Sequence, residues 1–102
     1  MKLENRYVLH IPLSRFADGK LISIDIDAVL VELTGQLDSF YITMAQSHYK
    51  SRDFEEILIT VFTCDGKIEE TFKEWFIKNN NILGQEAFAY EKGCELIIEE
   101  VK

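Results

Sequence analysis

The chain reads as an α+β protein, and three observations carry that reading. Hydrophobic periods of two and of 3.6 follow one another along the sequence, so strand patterns and helix patterns interleave rather than segregate. At 102 residues the length suits one domain, spanning 1–102. The apolar fraction is 47%, with seven Phe, four Tyr and one Trp, enough to build a single core without disulfide or metal staples.

The elements can be justified in order. Residues 6–13 (RYVLHIPL) form a strand with Tyr7, Leu9, Ile11 and Leu13 on one face and Arg6, Val8 and His10 on the other. Pro12 has no amide proton for a ladder and marks the strand's end. Residues 14–22 read as a loop turning on Asp18-Gly19. A helix then starts near Ser23 or Asp25, whose side chains can accept from the unpaired amides of a first turn. Ile26, Val29, Leu30, Leu33 and Leu37 give it one apolar stripe, and Gly35 weakens its last turn. The alternation of Ile22, Ile24 and Ile26 competes with that start as a short strand.

Residues 40–50 alternate again, with Phe40, Ile42 and Met44 on one side and Tyr41, Thr43 and Ala45 on the other. Residues 57–63 (ILITVFT) are apolar on both faces, the mark of an interior strand. After the turn at Cys64-Asp65-Gly66, Ile68, Phe72, Trp75 and Phe76 form the stripe of a second helix over residues 68–78. Glu69 and Glu70 at its start and Lys78 at its end suit the helix dipole. Asn79, Asn80 and Asn81 stop it. Residues 86–91 and 95–101 follow as two strands joined at Lys92-Gly93.

Two β-α-β units of similar length, joined by right-handed crossovers, place both helices on one face of an antiparallel sheet. This is a ferredoxin-like two-layer sandwich with an added C-terminal strand. The segment Leu83-Gly84-Gln85-Glu86-Ala87, between the second helix and the next strand, resembles that of small uncharacterised prokaryotic proteins of this ferredoxin-like architecture. The resemblance implies the fold and no particular reaction.

Composition excludes several functions. The net charge is −7, and the 11 Lys and Arg are dispersed among 18 carboxylates. Neither nucleic acid nor an anionic membrane is therefore an expected partner. Residues 1–7 carry charge and no apolar core of a signal peptide, so a cytoplasmic protein with Cys64 and Cys94 reduced is expected. The cysteines lack metal-site spacing, and there is no phosphate loop, nucleophile elbow or HExxH, so neither metal nor cofactor is expected.

One inference about function follows from the fold. If two helices cover one sheet face, the other is left with large apolar groups, and a monomer seldom exposes such a patch. The open face therefore serves as a homodimer interface, with Val8 and Phe62 as candidates, or as the floor of a ligand cleft. In the first reading the protein is a small interaction module. In the second it is a cofactor-independent enzyme for a small organic molecule. His10 and His48 are its candidate acid/base residues, Glu86 their carboxylate, and Tyr49, Arg52 and Gln85 its candidate ligand-binding residues. The plainer alternatives are solvated strand histidines, solvated loop charges, and a Gln85-Glu86 pair that caps loose backbone groups.

Overall fold

The computed structural model describes residues 5–49, 51–63 and 66–101. In chain order the elements are β1 (Asn5–Pro12), β2 (Ser14–Ala17), β3 (Lys20–Ser23), α1 (Asp27–Thr34), β4 (Phe40–Tyr49), β5 (Arg52–Thr63), α2 (Ile68–Lys78), α3 (Asn80–Leu83), β6 (Ala87–Lys92) and β7 (Glu95–Glu100). Five strands form one antiparallel sheet in the order β4-β5-β1-β6-β7, and β2 and β3 pair as a separate hairpin.

Register decides which residues meet the helices. Tyr7 pairs with Val61, Leu9 with Ile59 and Ile11 with Ile57, so one set of alternate residues forms an apolar floor. Phe88 and Tyr90 of β6 extend that floor. Against it pack Val29 and Leu33 of α1, Phe72, Trp75 and Phe76 of α2, and Leu83 of α3. Phe72 is the hub of this core. Its ring stacks on Trp75 and meets Phe76, Phe88 and Tyr90 edge-on, with centroids 5.7 to 6.1 Å away. The Trp75 indole donates to the Val29 carbonyl at 2.8 Å and so ties α2 to α1 without leaving a buried polar group unpaired.

The α+β class and the antiparallel sheet match the expectation from sequence, and several boundaries do not. Residues 14–23 are no plain loop; they fold as the β2–β3 hairpin. Its two-residue turn, Asp18-Gly19, has φ of 52° and 75°, the left-handed pair that suits the twist of a tight hairpin. Because the hairpin uses residues up to Ser23, α1 starts only at Asp27, with no side-chain cap, and ends at Thr34 rather than Leu37. The predicted strand 57–63 begins earlier, at Arg52, because β4 offers a pairing partner along its full length. The Asn run stops α2 as expected but then adds one turn, α3, closed by Gly84 in the left-handed conformation (φ 59°). A side chain at Gly84 would collide with the guanidinium of Arg15, which donates to the carbonyls of Asn81 and Ile82 and anchors the β2–β3 hairpin there. No helix among the described residues is long and apolar enough to cross a membrane.

Candidate functional site

The face opposite the helices carries a charged cluster centred on β1. β1 presents Arg6, Val8 and His10 there, and β5 presents Glu56, Leu58, Thr60 and Phe62, since Arg6 pairs with Phe62, Val8 with Thr60 and His10 with Leu58. On the other flank β6 supplies Ala89 opposite His10 and Glu91 opposite Val8. His10 thus sits on the central strand with a carboxylate on each side.

The geometry is close. His10 Nδ1 lies 3.1 Å from Glu56 Oε1, and Nε2 lies 2.7 Å from Glu91 Oε2. The Ser47 hydroxyl on β4 donates to the same Glu56 oxygen at 2.6 Å. With a carboxylate at each ring nitrogen, both nitrogens act as donors, which is the hydrogen-bonding pattern of an imidazolium. The Glu56 hydrogen bond, together with the Glu91 hydrogen bond and the two negative charges, raises the His10 pKa above its ordinary 6.5, although burial pulls the other way. For Glu56, burial favours the neutral acid, but the hydrogen bonds from His10 and Ser47 outweigh it and hold the carboxyl below its usual range. Two carboxylates thus flank His10, and Arg6 on the same face of β1 adds a second positive charge to theirs.

At one end of the same face, Tyr41 of β4 and Phe62 of β5 are exposed, with ring centroids 6.4 Å apart. Between this aromatic pair and Glu91 lie Val8 and Thr60, which form a low floor only 2% and 4% exposed. Two surface hollows occur elsewhere: one between α1 and β4, the other at the α1–β4 connection beside Phe62 and Thr63. Neither is lined by His10, Glu56 or Glu91.

A second cluster lies on the helix side, at the start of α2. The Glu69 carboxylate accepts from the Tyr90 hydroxyl at 2.7 Å and pairs with Lys92 at 2.7 Å, with the Tyr7 hydroxyl at 3.4 Å. Burial, then the adjacent Glu69 charge, pushes the Tyr90 hydroxyl far above its normal pKa, so it serves as a fixed donor and not as an acid at neutral pH. This cluster latches helix to sheet.

The candidate residues separate in three dimensions. His10 takes the expected open-face position. His48 does not join it: its place in the β4 ladder, opposite Asp53, puts it on the other face at the exposed hairpin end, where its Nδ1 lies 2.8 Å from Asp53 Oδ1. The expected His10–His48 pair is therefore corrected to a His10–Glu56–Glu91 cluster. Glu86 is exposed just before β6, and the carboxylates that meet the histidines are instead Glu56 and Glu91 at His10 and Asp53 at His48. Gln85 is a structural clamp, its amide donating to the carbonyls of Ser14 and Leu83 at 2.9 and 2.7 Å. Arg52 stacks its guanidinium 4.6 Å from the Phe16 ring centre and ties the β2–β3 hairpin to β5. The side chain of Tyr49 and all of Cys64 lie outside the described residues, while Cys94 is free and exposed. Phe62 is exposed on the open face as expected; Val8 shares that face but is closed over within the protomer.

Glu56, Glu91 and Ser47 were not singled out from sequence. Each is an ordinary polar residue in an alternating strand, and only the register of three strands brings them to His10. Among the described residues no three His, Cys, Asp or Glu side chains are arranged to hold a metal ion.

No family model matches the chain, and no curated protein sequence matches it. Among solved structures, a phage SAM lyase in complex with S-methyl-5′-thioadenosine superposes with a TM-score of 0.64. The superposition covers 98% of this chain and 92% of that one at 11% sequence identity, a likeness of fold alone.

Proposed function

We propose that the open sheet face binds a small organic cation carrying an aromatic base, of the adenosyl sulfonium class, and the neutral thioether nucleoside that it releases. In this proposal the protein is an enzyme acting on it, with the Glu91 carboxylate as proton acceptor and His10 as the cation that fixes it. The observation that carries the reading is the bonding of both His10 nitrogens to carboxylates. An imidazole so held cannot accept a proton, so the basic group of the site is a carboxylate and the histidine positions it.

The rest of the face suits the ligand class. The partly exposed Glu91 carboxylate offers a cation a partner, and the exposed Tyr41–Phe62 pair offers a stacking surface for a base. Three strand spacings separate the strands of Glu91 and Tyr41, about 14 Å, within reach of an extended adenosyl sulfonium with its amino-acid tail. A sulfonium also brings its own leaving group. When a neighbouring carbon gives its proton to Glu91, a carbon–carbon double bond can form. The C–S bond breaks as that double bond forms, with its electron pair leaving on sulfur as a neutral thioether. The fold neighbour, a lyase named for SAM with a thioether nucleoside bound, supports this ligand class. The strand order supports reading β1, α1, β4, β5, α2 and β6 as a ferredoxin-like core to which β2–β3 and β7 are additions.

The test is incubation of the purified protein with S-adenosylmethionine and detection of S-methyl-5′-thioadenosine by chromatography and mass spectrometry. The wild type is expected to form it and Glu91→Gln to lose the activity while keeping the circular dichroism spectrum of the folded chain. A wild type that neither forms the product nor changes its melting temperature with either nucleoside would defeat the proposal.

A further inference from the structure

Strand β1 places two cations on the open face, Arg6 and His10, on either side of Val8. Their situations differ. Both nitrogens of His10 are taken by Glu56 and Glu91. Arg6 is exposed, and among the described residues it enters no ion pair. Arg6 pairs across the ladder with Phe62, so it stands beside the aromatic platform, while Glu91 pairs with Val8 on the other flank. One strand spacing and two residue rises separate the backbones of Arg6 and Glu91, about 8 Å, so both side chains reach the same end of the Val8–Thr60 floor. The face thus carries an aromatic surface, a carboxylate and an unpaired guanidinium within the span of one small molecule.

We infer, resting on the ligand class proposed for this face, that Arg6 binds the carboxylate of the ligand's amino-acid tail and so selects adenosyl ligands that carry one. The chemistry of the tail fixes where that carboxylate must lie. The carbon that gives its proton to Glu91 is one bond from the carbon that bears the α-carboxylate, so the ligand's carboxylate and that of Glu91 come close and repel. A guanidinium beside them offsets the repulsion and offers two parallel donors in the geometry a carboxylate accepts. His10 cannot serve, because its two donors are already used. The charges around the site also disfavour a phosphate as the anion. Glu56 and Glu91 repel a dianion, whereas the α-ammonium next to the tail carboxylate leaves the tail neutral overall. A ligand with the tail amine alone meets Arg6 as a like charge, so the residue discriminates by repulsion as well as by attraction.

Calorimetric titration of the full chain with three thioether nucleosides tests it. None carries a sulfonium to be cleaved, and they differ only in the group on sulfur. S-Adenosylhomocysteine carries the amino-acid tail, its decarboxylated form carries the amine alone, and S-methyl-5′-thioadenosine carries neither. The wild type is expected to bind the first about tenfold more tightly than the second, the ratio that one charged hydrogen bond gives. Arg6→Gln loses that preference and binds S-methyl-5′-thioadenosine as the wild type does, which shows that its site is folded. Arg6→Lys keeps part of the preference, as a point charge without the paired donors. A wild type with no preference between the first two, an Arg6→Gln variant that keeps it, or one weakened equally towards all three overturns the role of Arg6 and leaves the ligand class standing. A wild type that binds none of the three overturns the ligand class and this role together.

Discussion

The two faces of the sheet are made from alternate residues of the same strands, yet they are different materials. Towards the helices, Tyr7, Leu9, Ile11, Ile57, Ile59 and Val61 are nearly dry and lock against an aromatic cluster centred on Phe72. Towards the open side, one strand step away, Arg6, His10, Glu56 and Glu91 surround a low floor of Val8 and Thr60. The difference teaches where each kind of change should register. Substitutions on the helix side act on folding, because close packing leaves no room to relax. Substitutions on the open side act on charge and ligand.

The largest effect is expected from Phe72→Ala. It empties the hub of the aromatic core and should cost about 3–5 kcal/mol, read as a lowered urea midpoint. A loss well under 1 kcal/mol would break the contrast between the faces, since it would mean that the helix layer is loosely packed.

A smaller and pH-dependent effect is expected from His10→Gln, with a loss of about 1–3 kcal/mol near pH 6, where the charged hydrogen bonds are intact. The folded-state pKa of His10 is raised, so its contribution is complete below 6.5 and disappears as pH rises through the folded value. The folded-state pKa of Glu56 is lowered, so its contribution is complete above 4.5 and disappears as pH falls through the folded value. The wild type should therefore exceed the variant most between about pH 4.5 and 6.5. Thermal melts from pH 4 to 9 would check the dome. A difference that keeps growing above pH 8 would contradict the charged state assigned to His10.

The smallest stability effect belongs to Phe62→Ser, at about 0.5 kcal/mol, because the ring is already 37% exposed. Binding of S-methyl-5′-thioadenosine, measured by calorimetry, should still weaken about tenfold, the scale of one lost base–aromatic stack of ~1–3 kcal/mol. Unfolding on that substitution, with binding untouched, would place Phe62 in the core and erase the distinction.

Local patterns settled more of the fold than of the site. The stripe Ile68, Phe72, Trp75 and Phe76 sets α2 and its buried face. The alternation around Tyr7, Leu9 and Ile11 set β1 correctly, since apolar periodicity reports directly on which side is dry. Residues 14–22 read as loop from sequence because Arg15, Lys20 and a Gly turn hide a hairpin's alternation, and it is the tertiary contact of Arg15 with α3 that anchors the hairpin. The site was half legible. His10 was visible as a titratable group on an outward position, whereas His48 fell on the wrong face because β4 and β5 pair along their entire length.

By itself, then, the sequence determined the class of fold, the helix-facing stripes and the acidity, all of which follow from spacing along the chain and from counting charges. Only the tertiary structure decided that Glu56 and Glu91 flank His10, that Glu69 binds Tyr90 and Lys92, and that β4 is an edge. Those relations depend on strand order and register. A one-residue slip in either pairing exchanges every side chain between faces, and no local pattern records which neighbour a strand will choose.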